Sequence, residues 1–221
     1  LKIIDLSLPI NDEVYGPPST NVKVQFTPHH RGPGFWQVTS IDMSVHTGSH
    51  IDSALHVTED GGTTDQFSLD QVIGEAVILD LTHIKDHQGI TMNDLEKCGA
   101  DIKPGDIILL NTGWSDKSWG QFPRYFVDSP FLTLDAGKWL VDKKPKAIGC
   151  DFFEEYAARF KDFTSEDFIV HREILDSGIV LLEGLTNLSA IPSKRVQFFG
   201  PFIKFAGLEG AMARFFAILN N

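Results

Sequence analysis

Within the eleven positions from 46 to 56 the chain places three imidazoles and a carboxylate, His46, His50, Asp52 and His56, all on even numbers. Parity decides which face of a strand a side chain occupies, so residues of one parity emerge together. The residues leading in alternate in the same sense. Thr39, Ile41, Met43 and Val45 are mostly apolar and Ser40, Asp42 and Ser44 polar, which predicts a half-buried strand over 36–45 that delivers His46 on its polar face. Gly48, between Thr47 and Ser49, allows a tight turn that swings His50 and Asp52 back towards His46. A single histidine is most often a surface or core residue, and an H-x-x-x-H spacing is common by chance. Four ligand-type residues on one parity around a glycine favour a metal site, where imidazole nitrogens and an anionic oxygen converge on a preset point.

The stretch His46-Thr47-Gly48-Ser49-His50-Ile51-Asp52-Ser53-Ala54-Leu55-His56 resembles the motif H-x-G-T-H-x-D-x-P-x-H of the metal-dependent cyclase-like hydrolases, a family that includes bacterial kynurenine formamidase and isatin hydrolase. Two positions depart from that motif. Ser49 replaces a threonine and keeps its hydroxyl; Ala54 replaces a proline, which loosens the turn before His56. The opening segment Asp5–Ile10 and the Asn111-Thr112-Gly113-Trp114 stretch resemble the same family, although the latter is also a strand-end turn with a packed tryptophan.

Composition narrows the partners. With 221 residues, 42% of them hydrophobic, the chain can bury one sizeable core, and a single domain over 1–221 is expected. A formal charge of -11 argues against a nucleic-acid or anionic-membrane partner, which needs a basic face. Cys98 and Cys150 form no C-x-x-C spacing and give neither a disulfide framework nor a thiolate zinc site; Cys150, closing an apolar run, is expected to be buried. No apolar stretch reaches membrane-spanning length, and Leu1-Lys2-Ile3-Ile4-Asp5 lacks the layout of a signal peptide, so a soluble, cytoplasmic protein is expected.

Along the chain, residues 1–7 read as a short strand and 11–34, rich in Pro and Gly, as a long surface connection in which His29 and His30 are solvated. A short helical stretch over 68–72 precedes a strand over 75–82. Thr91 to Asp94 match a capping box for a helix ending near Lys97, and 106–111 read as the next strand. Residues 115–130, with Trp119, Phe122, Tyr125 and Phe126, read as a loop able to line a pocket. Thr133 caps a helix through Leu140, and strand 147–150 ends on Asp151, where a carboxylate can face a site or serve as a cap. Thr164 to Asp167 cap a further helix on which Phe168, His171 and Leu175 share a core-facing side. Residues 179–182 form a buried strand closed by Glu183 before Gly184, and a carboxylate there is costly unless paired or metal-bound. The chain end reads as a hairpin of strands 202–206 and 212–219 about a turn at Leu208-Glu209-Gly210, with a helix over 211–219 open on propensity alone.

Taken together, His171 and Glu183 resemble the family's second ligand pair. The resemblance implies an α/β fold: one domain of the cyclase and kynurenine formamidase type (swivelling β/β/α), with a mixed β-sheet core and a few flanking helices. It implies one or two ions, one held by His46, His50 and Asp52 and the other by Asp52, His171 and Glu183, with Zn²⁺ and Mn²⁺ both suited to such donors. It further implies that a metal-activated water cleaves the C–N bond of a small amide, an aryl formamide, a lactam or a similar cyclic amide. His56 is then general acid and base or, in a competing role, a further ligand. Trp114, Asp151 and Phe152 are the expected substrate-binding residues. In kynurenine formamidases a Thr/Pro/Ser-rich turn stands where this chain has Phe152-Phe153-Glu154-Glu155-Tyr156, so the pocket wall is expected to differ. A small-molecule substrate and a homodimer or homotetramer follow from the same resemblance. A lyase, isomerase or cyclase on this scaffold, and a non-catalytic metal-binding protein, are the alternatives.

Overall fold

Ile107-Ile108-Leu109-Leu110 and Val180-Leu181-Leu182 are apolar on both parities and have no exposed surface. Strands buried on both faces must lie inside a sheet that is covered on both sides. The computed structural model describes residues 1–20 and 22–219; Asn21, within the 11–34 connection, and Asn220 and Asn221, at the end of the expected 1–221 domain, lie outside the described residues. The strands are β1 (Lys2–Asp5), β2 (Gln25–His30), β3 (Gln37–Asp42), β4 (His50–Asp52), β5 (Ile73–Asp80), β6 (Gly89–Ile90), β7 (Ile107–Asn111), β8 (Phe131–Leu132), β9 (Ala147–Cys150), β10 (Val180–Glu183), β11 (Arg195–Phe199), β12 (Gly210–Met212) and β13 (Phe216–Leu219). The helices are α1 (Met92–Lys97), α2 (Trp114–Ser118), α3 (Arg124–Val127), α4 (Leu134–Asp142) and α5 (Ile169–Leu175).

Nine strands form one mixed sheet in the order β1-β13-β11-β5-β7-β9-β10-β4-β12. The central run β5-β7-β9-β10 is parallel and its flanks are antiparallel. Parity sorts the core into two layers. Val77, Leu79, Ile108, Leu110, Ile148 and Leu181 face the side covered by α4 and α5, while Ala76, Ile107, Leu109, Ala147, Val180 and Leu182 pack with Ile51, Phe198 and Phe215 on the other. This is the mixed α/β architecture expected. Among the described residues no helix is long and apolar enough to cross a membrane.

Four local expectations change. The alternation over 36–45 is present, but β3 is exposed along its whole length, because among the described residues it pairs only with β2, in a separate two-stranded ribbon that takes in part of the 11–34 connection. Residues 115–130 form α2, α3 and their links rather than a loop. At the chain end, the 202–206 arm is reduced to a single bridge between Phe202 and Ala213. β12 and β13 part company instead, β12 joining the edge of β4 and β13 lying between β1 and β11. The Thr91 box opens α1 as expected, whereas the Thr164 box opens a separate 3-10 turn, Ser165–Asp167, just ahead of α5, whose own N-cap is Phe168.

Candidate metal centre

Strand register builds the centre. In the antiparallel pairing of β10 with β4, Glu183 lies opposite His50 and Leu181 opposite Asp52, and β12 closes the other edge of β4 with Gly210 opposite Asp52. Directly opposed residues point to one face, so His50, Asp52 and Glu183 share the face that carries Leu181 and the helices. Helix α5 lies on that face and brings down His171, which is buried. His46 arrives from a turn instead of a strand end, and Gly48, at φ +65°, makes the bend that the glycine predicted. His56 closes the 3-10 turn Ala54–His56 and stacks on His46, ring centroids 4.1 Å apart.

The structure thus brings together all six residues expected as ligands or proton carriers. Nδ1 of His46 lies 2.8 Å from Oδ1 of Asp52; Nε2 of His50 lies 3.5 Å from that oxygen and 3.4 Å from Oε2 of Glu183; Nε2 of His171 lies 3.0 Å from Oε1 of Glu183 and 3.9 Å from Oδ2 of Asp52. Ligand atoms of His46, Asp52 and His56, and of His50, Asp52 and Glu183, gather within 4.8 Å of one another, as do those of Glu154, His171 and Glu183. The donors fit a metal ion on a second ground. Nε2 of His50, Oδ2 of Asp52 and Oε1 of Glu183 are buried without a hydrogen-bond partner, and unsatisfied polar atoms that converge at such cost are accounted for by an ion between them. The far nitrogens are occupied elsewhere: Nδ1 of His50 donates to the Gly48 carbonyl at 2.9 Å, and Nε2 of His46 lies 3.2 Å from Oε1 of Glu209. Holding one ring nitrogen by an outer acceptor is how a protein presents the other to a metal.

Charge follows from this crowding. Burial opposes protonation of His46, yet Asp52 beside it raises the imidazole to about 10; burial likewise works against ionised Asp52, and His46 and His50 still hold it below the usual carboxylate range. Burial pushes Glu154 up to about 8, with Glu183 adding to the rise. For His56 burial is the main cause of a fall to about 4, so at neutral pH its ring is uncharged and retains a lone pair.

A cavity of about 390 Å³ opens over the centre, walled by Tyr15, Trp119, Tyr125, Phe152, Phe153 and Phe168 among others. Beyond the histidines and carboxylates of the centre, its described lining includes no charged side chain. Of the three expected substrate-binding residues, Phe152 lines this cavity and the other two do not. Trp114 is fully buried in the helix-side core, its indole N–H donating to the Tyr125 carbonyl at 2.9 Å. Asp151 turns towards the 112–113 backbone, accepting from the Thr112 and Gly113 amides at 2.9 and 2.6 Å and from the Thr112 hydroxyl at 2.6 Å, and so braces the strand end instead of facing a ligand. Glu209 and Glu154 escaped the sequence reading. Leu208-Glu209-Gly210 repeats the Leu-Glu-Gly of 182–184, a signal that could have found Glu209, and Glu154-Glu155 is a pair of acids within an otherwise apolar stretch.

The model of the Cyclase family matches residues 4–154, which takes in the 46–56 motif and stops short of His171 and Glu183. A kynurenine formamidase of Salinibacter ruber is 30% identical over 192 residues, covering 82% of this chain and 79% of that protein. Among solved structures, a potential metal-dependent hydrolase with cyclase activity is 29% identical, with a TM-score of 0.74 over 98% of this chain and 96% of the other. An isatin hydrolase bound to the product analogue thioisatinate shares the fold, with a TM-score of 0.85 over 100% of this chain and 93% of the other at 19% identity.

Proposed function

The chain belongs to the Cyclase family, and on that footing we propose that it is a metal-dependent hydrolase cleaving the C–N bond of a small, uncharged aromatic or cyclic amide. The observation that carries this reading is the convergence of unsatisfied buried donors from His50, Asp52 and Glu183 beneath an aromatic cavity. His46, His50, Asp52, His171 and Glu183 would hold one or two divalent ions. A bound ion of the zinc or manganese kind supplies Lewis acidity, polarising a carbonyl and making water a better nucleophile near neutral pH. The chain's own groups do the rest. His56, uncharged and held against His46, takes a proton from water and returns it to the departing nitrogen. The aromatic wall excludes bulk water and stacks on a planar substrate.

Elemental analysis of protein stripped of metal and reloaded with Zn²⁺ or Mn²⁺ tests the first half of the reading; failure to retain an ion overturns it. A panel of amides tests the second. An aryl formamide or bicyclic lactam is expected to be cleaved with kcat/KM at least about tenfold above its carboxylate-bearing analogue, because the described lining offers no cation to pair with that charge. His56→Ala should keep the metal and lose turnover; loss of the ion would make His56 a ligand instead. Assembly as a homodimer or homotetramer belongs to the same proposal. The exposed Phe35, Trp36 and Ile41 on and beside the β2–β3 ribbon support it, and light scattering measures it.

A further inference from the structure

The segment Phe152–Tyr156, which follows β9, carries two adjacent glutamates that are almost wholly buried, Glu154 and Glu155. Glu155 holds backbone, since its Oε2 accepts from the amides of Val170 and His171 at 2.9 and 3.1 Å, at the start of α5. Glu154 caps nothing. Its Oε1 lies 2.9 Å from Nδ1 of His171, and neither that nitrogen nor either oxygen has an aligned hydrogen-bond partner, so the contact is made but its bonding capacity is uncommitted. A polar side chain buried in such a place is costly without a purpose for its oxygens.

The opposite nitrogen supplies that purpose. Nε2 of His171 points at Glu183 and Asp52, while Phe168 stacks on the ring at 3.9 Å with the planes 14° apart and fixes its orientation. An imidazole offers a lone pair at one nitrogen when the proton resides on the other, and an acceptor at the far side selects which. We propose that Glu154 is the positioning residue of His171, accepting Nδ1–H so that Nε2 is presented, unprotonated, to the metal centre. It does for His171 what the Gly48 carbonyl does for His50 and Glu209 for His46. Glu155 fixes the backbone of the same residue, so two consecutive side chains hold one ligand at both ends.

This inference rests on the reading of His171 as a ligand, and the experiment separates the two. Metal-free wild type, H171A, E154Q and E154L are each titrated with Zn²⁺, counting ions per chain and the affinity of the ion that H171A loses. E154L is expected to weaken that ion about 10- to 100-fold, whereas E154Q, whose amide oxygen can accept the same N–H, stays within about threefold of wild type. Nitrogen-15 spectra of labelled histidines in the zinc-loaded protein give a readout that packing alone would not move: the His171 Nδ1–H shows the shift of a hydrogen-bonded N–H in wild type and E154Q and loses that shift in E154L. Should E154L fail to fold by circular dichroism, E154D, which withdraws the acceptor by one methylene, takes its place. Equal affinity and spectra in E154L and wild type overturn the proposal. So does E154Q as weak as E154L, which would make the carboxylate itself a ligand. If H171A binds as many ions as tightly as wild type, the ligand reading falls and this inference with it.

Discussion

Gly184→Ala tests how the two halves of the centre are joined. Gly184 follows Glu183 with φ +68°, and a β-carbon there would stand 2.8 Å from the Gly48 carbonyl carbon, closer still to its oxygen, and 3.1 Å from Cδ1 of Leu8. That Gly48 carbonyl accepts from Nδ1 of His50, and the Gly184 carbonyl accepts from the buried Ser49 hydroxyl at 2.7 Å. Two costs add. A left-handed backbone on a residue with a β-carbon costs about 1–2 kcal/mol. Overpacking against fixed backbone costs about 1–3 kcal/mol more. The sum, about 2–5 kcal/mol, lowers the Tm of a chain of this size by about 4–20 °C. Gly178→Ala is the control, because Gly178 has φ +75° with nothing within 4 Å of the added β-carbon and so incurs the first cost alone, about 2–8 °C. Thermal unfolding of both metal-free variants, with zinc titration of each, reads the difference. G184A should also bind zinc more weakly, since moving the Gly48 carbonyl releases His50, while G178A binds as wild type. If G184A melts within about 2 °C of G178A and binds zinc normally, the back-to-back packing of the two glycines does not set the ligand geometry.

Restoring the family proline with Ala54→Pro should stabilise the fold by about 0.4–1 kcal/mol, because Ser53 is already extended (φ -119°, ψ 169°) and Ala54 opens a 3-10 turn; a lower Tm would refute this. Trp114→Phe should cost about 1–3 kcal/mol of stability by leaving the buried Tyr125 carbonyl without its donor, and leave the KM for an amide substrate unchanged; a raised KM at unchanged stability would return Trp114 to the substrate wall. Glu209 is held down at about 2, chiefly by its contact with His46. Its folded value lies below its unfolded one, so its stabilising contribution is present above about pH 4.5 and lost as pH falls towards 2. In metal-free protein the Tm gap between wild type and Glu209→Gln should therefore be open at pH 6, narrow below about pH 4.5 and close only as pH falls to about 2, and a gap independent of pH would exclude the contact with His46 as its origin.

What could be read along the chain was whatever depends on near neighbours. The spacing of His46, His50, Asp52 and His56 around Gly48, the capping boxes at Thr91 and Thr164, and the unbroken apolar runs of β7 and β10 all express local geometry, and the structure follows them. The 36–45 alternation misled for the same reason: periodicity records that a strand has two unlike faces and says nothing of whether another layer arrives to cover one.

By itself the sequence determined the ligand-type residues, the helix that carries His171, the strand that ends on Glu183 and the resemblance that ties His46–His56 to His171 and Glu183. Tertiary structure decided which residues became neighbours at long range. The register of β10 against β4 put Glu183 opposite His50, the placing of β12 brought Glu209 to His46, the turn after β9 set Glu154 against His171 while turning Asp151 away from the cavity, and the Tyr125 carbonyl held Trp114 in the core. The physical reason is that burial and orientation belong to the whole packed sheet, because a carboxylate's neighbours are fixed by strand order and by which layer covers it, and neither is encoded within a few residues of it.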